Sequence, residues 1–159
     1  MFIFQSFHCI LPPCQKSKLG GLYLGDLNTA ENLKILKENG ITAILTTADK
    51  TGLNFKNTHI KEHKVIPAYD SLDYNLSVDF ENCFQFIEEK RKNHNILVHC
   101  FAGISRSATI VIAYLIKKNR WTFEESFKFV KDIRMIISPN SNFERQLRAY
   151  EKNILTIKN

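Results

Sequence analysis

Apolar residues occur along the chain in two alternating patterns, short continuous runs and longer runs with helical spacing. The continuous runs are rich in β-branched and aromatic residues, which is typical of buried strands. These runs are GLYLG (21–25), ITAILTT (41–47), the partly alternating HIKEHKVIPA (59–68) and NILVHC (95–100). We therefore predict four short strands in the first two thirds of the chain.

In the remaining segments apolar residues recur at intervals of three and four, the spacing of one face of an α-helix. Helices are predicted over 29–39, 75–92, 107–118, 121–134 and 138–155. The last two begin with residues at capping-box spacing, Thr122 with Glu125 and Ser141 with Glu144. The order β-α-β-β-α-β-loop-α-α-α predicts an α/β domain with a central, mostly parallel sheet flanked by helices.

The chain length of 159 residues fits one compact domain. Residues 1–18 are expected to form an N-terminal extension, which ends in a Pro-Pro turn and the basic stretch KSK. This extension could pack on the domain, anchor a partner or be disordered. Residues 19–159 are expected to form the domain itself, because no internal repeat or linker divides them. The pattern does not indicate an oligomeric state.

The composition excludes several classes of function. The longest apolar run, 108–116, is followed by two lysines and is too short to span a membrane, and the N-terminus lacks the basic start of a signal peptide. The formal charge of +6 is spread among glutamates, so we predict a solvated basic surface with a mild bias toward phosphorylated or acidic substrates. A nucleic-acid partner is not expected, because no aromatic-basic motif is present.

The chain contains four cysteines: Cys9, Cys14, Cys83 and Cys100. They have neither the density nor the spacing of a secreted disulfide framework, so we expect them to be reduced and the protein to be cytoplasmic or nuclear. Cys9 and Cys14 with His59 and His63 offer two pairs of zinc ligands. The long interval between the pairs and the position of the histidines on a predicted strand argue against a metal site. No metal or other cofactor is expected.

The segment VHCFAGISRS (98–107) carries the candidate chemistry. It lies between a strand and a helix that begins near Arg106, the place where ligands bind in parallel sheets. Free N–H groups and the positive end of the helix dipole converge there and favour an anion such as phosphate. Gly103 lets the backbone turn its amides inward, because it adopts a positive φ without steric cost. The loop residues expected to bind the anion are Phe101, Ala102, Gly103, Ile104, Ser105 and Arg106.

The same positive environment favours the thiolate of Cys100, which would make it a nucleophile at neutral pH. The planar guanidinium of Arg106 can hold two phosphoryl oxygens. Ser107 can donate its hydroxyl to the sulfur when the thiolate becomes the leaving group. Each residue alone has a plain structural explanation, a core cysteine or a solvated arginine. Their combined spacing predicts covalent phosphoryl transfer.

The stretch HCFAGISRS (99–107) matches the HCxxGxSRS signature of the cysteine-based protein tyrosine phosphatases, in the form typical of dual-specificity phosphatases. GLYLG followed by GITAIL resembles the family's opening strand, helix and second strand, and SPNSNFERQLRAYE resembles its closing helix. The resemblance covers about residues 19–152. It implies a protein tyrosine phosphatase-like fold and metal-free hydrolysis of phosphotyrosine and phosphoserine or phosphothreonine in phosphorylated protein substrates.

The reaction also needs an acid for the departing oxygen and a base for the attacking water. The candidates are Asp70, Asp73 and Asp79. Asp79 falls within a predicted helix, and Asp73 could be no more than a helix cap. The segment IPAYDSLDYNLSVDF resembles the family's general-acid segment, and Asp70 has the acid's position relative to the Asn-Leu helix start. We therefore predict Asp70 as the acid, with Asp73 as the alternative.

The resemblance implies roles for two further residues. It places His99 behind the nucleophile, where hydrogen bonds tune the thiolate, although His99 could equally be a buried core histidine. It also likens Asn140 to a residue that bonds the loop backbone, although Asn140 could be only a turn residue. Cys83 is expected in the core, and a disulfide between Cys83 and oxidised Cys100 is a minor hypothesis.

Two other functions remain alternatives. A phosphatase of the same superfamily could act on lipid, inositol or RNA phosphates, but such enzymes tend to carry basic residues within the loop, and residues 101–105 include none. A non-catalytic phosphopeptide-binding module would usually lack the cysteine or the arginine. No KNRY-like segment, with which tyrosine-specific relatives deepen their pocket, precedes the loop. A shallow pocket that also accepts phosphoserine and phosphothreonine is therefore predicted.

Overall fold

The structure is a computed structural model that describes residues 5–157. Five strands form one sheet: β1 (Phe7–Leu11), β2 (Leu22–Gly25), β3 (Ile41–Thr46), β4 (Glu62–Val65) and β5 (Asn95–His99). Their order across the sheet is β1-β2-β5-β3-β4, and neighbours pair in parallel except for β1, which is antiparallel to β2. The α/β fold with a central, mostly parallel sheet is confirmed.

Helices cover both faces of this sheet. The α-helices within residues 5–157 are α1 (Leu27–Glu31), α2 (Leu33–Glu38), α3 (Phe80–Arg91), α4 (Arg106–Asn119), α5 (Phe123–Ile133) and α6 (Ser141–Thr156). Alternate strand residues enter two separate buried clusters, one shared with α1 and α2 and the other with α3 to α6. This alternation follows from the two-residue period of a strand.

The central helix is α4. All ten residues from Ser107 to Ile116 are buried, which explains why this segment is apolar on every side rather than amphipathic. It contacts β5, α3, α5 and α6, so its N-terminus is held firmly at the end of β5. Within residues 5–157, no helix combines the length and apolar character needed to cross a membrane.

Part of the predicted N-terminal extension belongs to the sheet. Residues 7–11 form edge strand β1, and Ile10 is buried in the main core. The sequence did not indicate this strand, because its apolar pattern is short and is interrupted by polar residues. Residues 1–4 of the predicted extension and residues 158–159 of the predicted domain lie outside the described residues.

Several helix boundaries differ from the sequence prediction. The helix predicted over 75–92 begins at Phe80, after a short 3-10 helix over Ser77–Asp79. The predicted helix 29–39 is divided into α1 and α2 at Asn32, whose side chain accepts a hydrogen bond from Ile35 N and caps the second helix. The cap of α6 is Asn140 rather than Ser141, because Asn140 Oδ1 accepts from Phe143 N at 2.9 Å. The capping box that begins α5, formed by Thr122 and Glu125, is confirmed.

Candidate active site

The loop 100–105 joins the end of β5 to the start of α4 at the carboxyl edge of the parallel strands. This is the expected ligand-binding edge of such a sheet. Cys100 is 2% exposed and lies at the base of the loop. Phe101 is 42% exposed, so its side chain lies at the surface beside the loop. A phosphorylated side chain therefore has to approach the buried sulfur from the side that the loop leaves open.

The backbone of the loop is held by hydrogen bonds to consecutive carbonyl oxygens. Each carbonyl of residues 100–104 accepts a bond from outside the loop. The pairs are Cys100 O with His99 Nδ1 (3.0 Å), Phe101 O with Leu27 N (3.0 Å), Ala102 O with Arg134 Nη2 (3.4 Å), Gly103 O with Arg134 Nε (2.9 Å) and Ile104 O with Ser138 N (2.8 Å).

This outer set of hydrogen bonds determines where the loop amides point. The peptide bonds are all trans, and in a trans peptide the C=O and N–H groups point in opposite directions. The N–H groups of residues 101–105 therefore face into the loop. One of them, Gly103 N, lies 3.2 Å from Cys100 Sγ. The loop presents a concave set of N–H donors above the sulfur, which is a binding site for an oxyanion.

Arg134, at the end of α5, was not singled out from the sequence. It is 1% exposed and donates to the loop carbonyls of Ala102 and Gly103. Its Nη1 lies 3.0 Å from Gln5 O and 3.0 Å from His8 Nδ1, so it also links the loop to the N-terminal strand. In the sequence Arg134 resembles any basic residue near the end of a helix. Only the tertiary structure shows that Arg134 contacts the loop carbonyls and so differs from an ordinary basic residue at a helix end.

Gly103 has the positive φ that was predicted, +66°. A Cβ atom on Gly103 would lie 2.6 Å from both Gly25 O and Arg134 Nη2. The first of these atoms belongs to the backbone of β2 and cannot easily move. Gly103 is therefore required both for its backbone conformation and for close contact with the neighbouring strand.

We expect a Gly103→Ala variant to lose at least about tenfold in kcat/KM for p-nitrophenyl phosphate, because the loop must shift to admit the methyl group. Gly52→Ala is the matched control, since Gly52 also has a positive φ, +72°, but has open space around its Cβ position. Both variants should lose about 1 kcal/mol of unfolding free energy from backbone strain. Equal activity losses in the two variants, measured by steady-state kinetics, would contradict the proposed contact.

Within residues 5–157, the sulfur of Cys100 has two hydrogen-bonding neighbours, Gly103 N at 3.2 Å and Ser107 Oγ at 3.1 Å. Ser107 is fully buried in the first turn of α4, so its hydroxyl is fixed near the sulfur. Both groups can donate to a thiolate, and α4 directs its positive end to the same place. The structure thus brings Ser107 to the predicted position beside Cys100.

The guanidinium of Arg106 lies between the loop and the segment that contains Asp70. Its Nη1 donates to Ala68 O at 3.1 Å, and its carbon atom lies 5.4 Å from the ring centroid of Phe101. Its Nε is buried and has no hydrogen-bond partner within residues 5–157. A buried donor without a partner is unusual in a folded protein. Arg106 therefore retains donor capacity for an oxyanion bound in the loop.

The structure distinguishes Asp70 from the other candidate acids. Asp70 Oδ1 accepts hydrogen bonds from Ser105 Oγ and Asn140 Nδ2, both at 2.8 Å, so its carboxyl group lies at the edge of the loop. Asp73 accepts a bond from its neighbour Ser71, and Asp79 immediately precedes α3. Among the described residues, Asp70 is the candidate that is hydrogen-bonded to a loop side chain.

Asn140 has a different position from the one that the resemblance implied. Its side chain contacts the acid segment, donating to Asp70 Oδ1 and to Ser71 O, rather than the loop backbone. Its own N–H donates to Ser105 Oγ at 3.0 Å. The loop backbone is instead contacted by Ser138 N, which bonds Ile104 O. Asn140 therefore connects Asp70 to the loop through Ser105.

His99 is fully buried at the end of β5, behind the loop. Its Nδ1 lies 3.0 Å from Cys100 O, and its Nε2 lies 2.7 Å from Thr46 Oγ1. Burial lowers the pKa of His99 to about 4, so the imidazole is neutral at pH 7. Because a carbonyl oxygen only accepts hydrogen bonds, Nδ1 carries the proton.

The remaining sequence candidates do not join this site. Cys83 is buried in the core on α3, and burial raises the pKa of its thiol to about 12, which opposes a role as a reactive resolving thiol. Within residues 5–157, no three His, Cys, Asp or Glu side chains are grouped so that they could hold a metal ion. The two pairs of zinc ligands considered above therefore do not form one site.

Comparisons with known proteins agree with this geometry. The sequence profile of the dual specificity phosphatase catalytic domain matches residues 22–153. Dual specificity protein phosphatase 1 of Arabidopsis thaliana is 42% identical over 135 residues, which are 84% of this chain and 67% of the relative. Human dual specificity protein phosphatase 6 is 40% identical over 134 residues, 84% of this chain and 35% of the relative. The chain thus spans from about a third to two thirds of these curated relatives.

The fold is also found among solved structures of phosphatase domains and phosphatase-like proteins. The crystal structure of the human tyrosine phosphatase-like serine/threonine/tyrosine-interacting protein is similar with a TM-score of 0.83 and 30% identity, over 94% of this chain and 98% of that one. The family indicated by HCFAGISRS is confirmed. From its fold, its loop and these relatives, the chain belongs to the dual specificity phosphatase family, a family of hydrolases that act on phosphorylated proteins.

Proposed function

We propose that this domain hydrolyses phosphotyrosine and phosphoserine or phosphothreonine in proteins through a phosphocysteine intermediate. The observation that carries the proposal is that the carbonyls of residues 100–104 all bond away from the loop, which turns the N–H groups of residues 101–105 inward, with Gly103 N 3.2 Å from Cys100 Sγ. These donors match the three terminal oxygens of a phosphoryl group that is transferred to the sulfur. The substrates would be phosphorylated proteins, and no metal or other cofactor is required by these steps.

In the first step the Cys100 thiolate attacks phosphorus, and the bond between phosphorus and the substrate oxygen breaks. Arg106 and the loop amides hold the three equatorial oxygens, where charge is spread in the transition state. The carboxyl group of Asp70 gives its proton to the leaving oxygen. In the described part of the chain, Ser105 and Asn140 both bond to Oδ1 of Asp70, so Oδ2 can carry that proton.

In the second step water attacks the phosphocysteine and the phosphorus–sulfur bond breaks. The Asp70 carboxylate takes a proton from the water, which returns the acid to its starting form. Ser107, with Oγ 3.1 Å from the sulfur, donates to the departing thiolate. Inorganic phosphate leaves, and the enzyme is regenerated without an oxidant or a reductant.

We expect Asp70→Ala to lower kcat/KM by roughly a hundredfold for phosphoserine and phenyl phosphate, whose leaving groups need a proton in the first step. The loss of kcat/KM for p-nitrophenyl phosphate should be only a few fold, because p-nitrophenolate leaves without protonation. Asp73→Ala is the matched control and should behave like wild type. A uniform small loss for Asp70→Ala, with a leaving-group dependent loss for Asp73→Ala, would assign the acid to Asp73.

The substrate class is tested by assaying a panel of phosphopeptides beside phosphoinositide vesicles at equal phosphate concentration. Because loop residues 101–105 carry no basic side chain, we expect the peptides to be hydrolysed at least tenfold faster. Faster hydrolysis of the phosphoinositides would instead favour a phosphatase of non-protein esters. Tight binding of phosphopeptides without turnover would favour a binding module.

The proposal includes a cytoplasmic location, with the nucleus as the alternative. It is supported by the four cysteines within residues 5–157, which are all free thiols, as expected in a reducing compartment. Fluorescence microscopy of the tagged full chain tests it. A signal confined to secretory compartments would contradict it.

A further inference from the structure

A chain of hydrogen bonds runs from the active-site loop toward the protein surface. It begins at Cys100 O, which lies 3.0 Å from His99 Nδ1. It continues from His99 Nε2 to Thr46 Oγ1 at 2.7 Å and from Thr46 Oγ1 to His63 Nε2 at 2.8 Å. Thr46 and His99 are fully buried and are opposite each other in the β3–β5 pairing, whereas His63 is half-buried on the neighbouring strand β4.

The direction of every hydrogen bond in this series can be derived from its inner end, Cys100 O, and from the neutral state of His99. His99 Nδ1 must donate, since Cys100 O can only accept. His99 is neutral at pH 7, because burial lowers its pKa to about 4, so its Nε2 has a lone pair and needs a donor. That donor is the hydroxyl of Thr46, which has only one proton. Thr46 Oγ1 must therefore accept from His63, whose Nε2 carries a proton.

We propose that His63 is a positioning residue of this phosphatase site: its Nε2–H sets the direction of the Thr46 hydroxyl, and through it the His99 imidazole and the first peptide unit of the loop. That peptide unit contains Cys100 C=O and Phe101 N–H. Correct orientation of the unit directs the first loop amide toward the phosphoryl group. The effect on catalysis rests on the proposed function, whereas the direction of the hydrogen bonds does not.

Protonation of His63 leaves the direction of these hydrogen bonds unchanged, because the imidazolium also carries a proton on Nε2. Burial lowers the pKa of His63, so the neutral form with the proton on Nε2 is favoured at neutral pH. The alternative to the proposal is that His63 is only a packing residue, since its ring also lies edge-on to Phe55, with centroids 4.7 Å apart. The two explanations predict different responses to a change of polarity at position 63.

Two substitutions of similar size separate these explanations. In His63→Gln the amide group can still donate to Thr46 Oγ1, so kcat/KM for p-nitrophenyl phosphate should stay within about twofold of wild type. In His63→Glu the carboxylate can only accept, so it turns the Thr46 hydroxyl away from His99 and leaves Nε2 without a donor. An unpaired buried acceptor is costly, and we expect about a tenfold loss of kcat/KM.

A further variant, Thr46→Val, controls for the negative charge that His63→Glu adds. In a Thr46→Val background the hydroxyl is absent, so His63→Glu should cause no further loss beyond that of Thr46→Val alone. The thermal midpoints of all variants, measured by circular dichroism, show whether they are folded. A tenfold loss that persists in the Thr46→Val background would attribute the effect to charge and overturn the proposal, as would equal losses in His63→Gln and His63→Glu.

The imidazole nitrogen resonances of His99, observed by NMR in 15N-labelled protein, give a readout independent of activity. Wild type and His63→Gln should show a neutral ring with the proton on Nδ1 and a hydrogen-bonded Nε2. His63→Glu should shift the Nε2 resonance or produce an imidazolium. Unchanged His99 resonances in His63→Glu would refute the proposal even if the protein is an active phosphatase. The predicted resonances in a protein without turnover would instead refute the proposed function alone.

Discussion

Cys100→Ser is expected to reduce turnover of p-nitrophenyl phosphate by roughly four orders of magnitude or more, because the nucleophile and the later leaving group are the same sulfur. A serine hydroxyl at this position stays protonated at neutral pH and forms an ester that is hard to hydrolyse. The loop amides remain in place, so the variant should still bind a phosphotyrosine peptide, as measured by isothermal titration calorimetry.

The matched control for this change is Cys14→Ser, since Cys14 is an exposed free thiol. Its turnover should equal that of wild type. Comparable rates for Cys100→Ser and wild type would end the enzyme hypothesis. Loss of both turnover and peptide binding in a folded Cys100→Ser protein would show that the sulfur is needed for the shape of the loop, not only for chemistry.

Arg106→Lys is expected to lower kcat/KM by about a thousandfold although the positive charge is kept. A lysine ammonium is a point charge and cannot hold two phosphoryl oxygens side by side. Its one nitrogen would have to serve both the phosphoryl group and Ala68 O, which Arg106 Nη1 contacts at 3.1 Å, whereas arginine has separate nitrogens for the two. We therefore expect most of the loss in kcat and a smaller part in KM.

Arg148→Lys is the control for the arginine change. Arg148 is exposed on α6 and pairs with Glu124 and Glu144 at the surface, where such pairs contribute little to stability. Its kinetics should match those of wild type. A loss smaller than tenfold in Arg106→Lys would mean that the bidentate geometry is unimportant and that charge alone is required.

The fold was largely predictable because its strongest signals are local. The apolar runs that became β2, β3 and β5 are buried on both faces, and they had the continuous pattern that parallel strands require. Edge strand β1 was missed because only Ile10 is fully buried in it, so its pattern is weak. The break between α1 and α2 at Asn32 could not be predicted from the spacing of apolar residues, which continues across it. The side chain of Asn32 caps α2, and this local hydrogen bond replaces continuation of the first helix.

The site was predictable where its chemistry lies in a single segment. Cys100, Arg106 and Ser107 are close in sequence, and Gly103 was expected to have a positive φ, as observed. Arg134 and Thr46 were not predicted, because they reach the loop only through tertiary packing and strand pairing. No local pattern distinguishes a buried arginine that holds carbonyl oxygens from an ordinary basic residue at a helix end.

The proposed mechanism requires that Cys100 carry the phosphoryl group during turnover. Rapid acid quench of the Asp70→Ala protein with p-nitrophenyl phosphate, followed by mass spectrometry of its peptides, would show where that group is bound. Asp70→Ala should accumulate the intermediate, because the base for the attacking water is missing. We expect one phosphoryl group, on the peptide that contains Cys100 and bonded to its sulfur. Phosphorylation of another residue, or turnover by direct attack of water with Cys100 unmodified throughout, would contradict it.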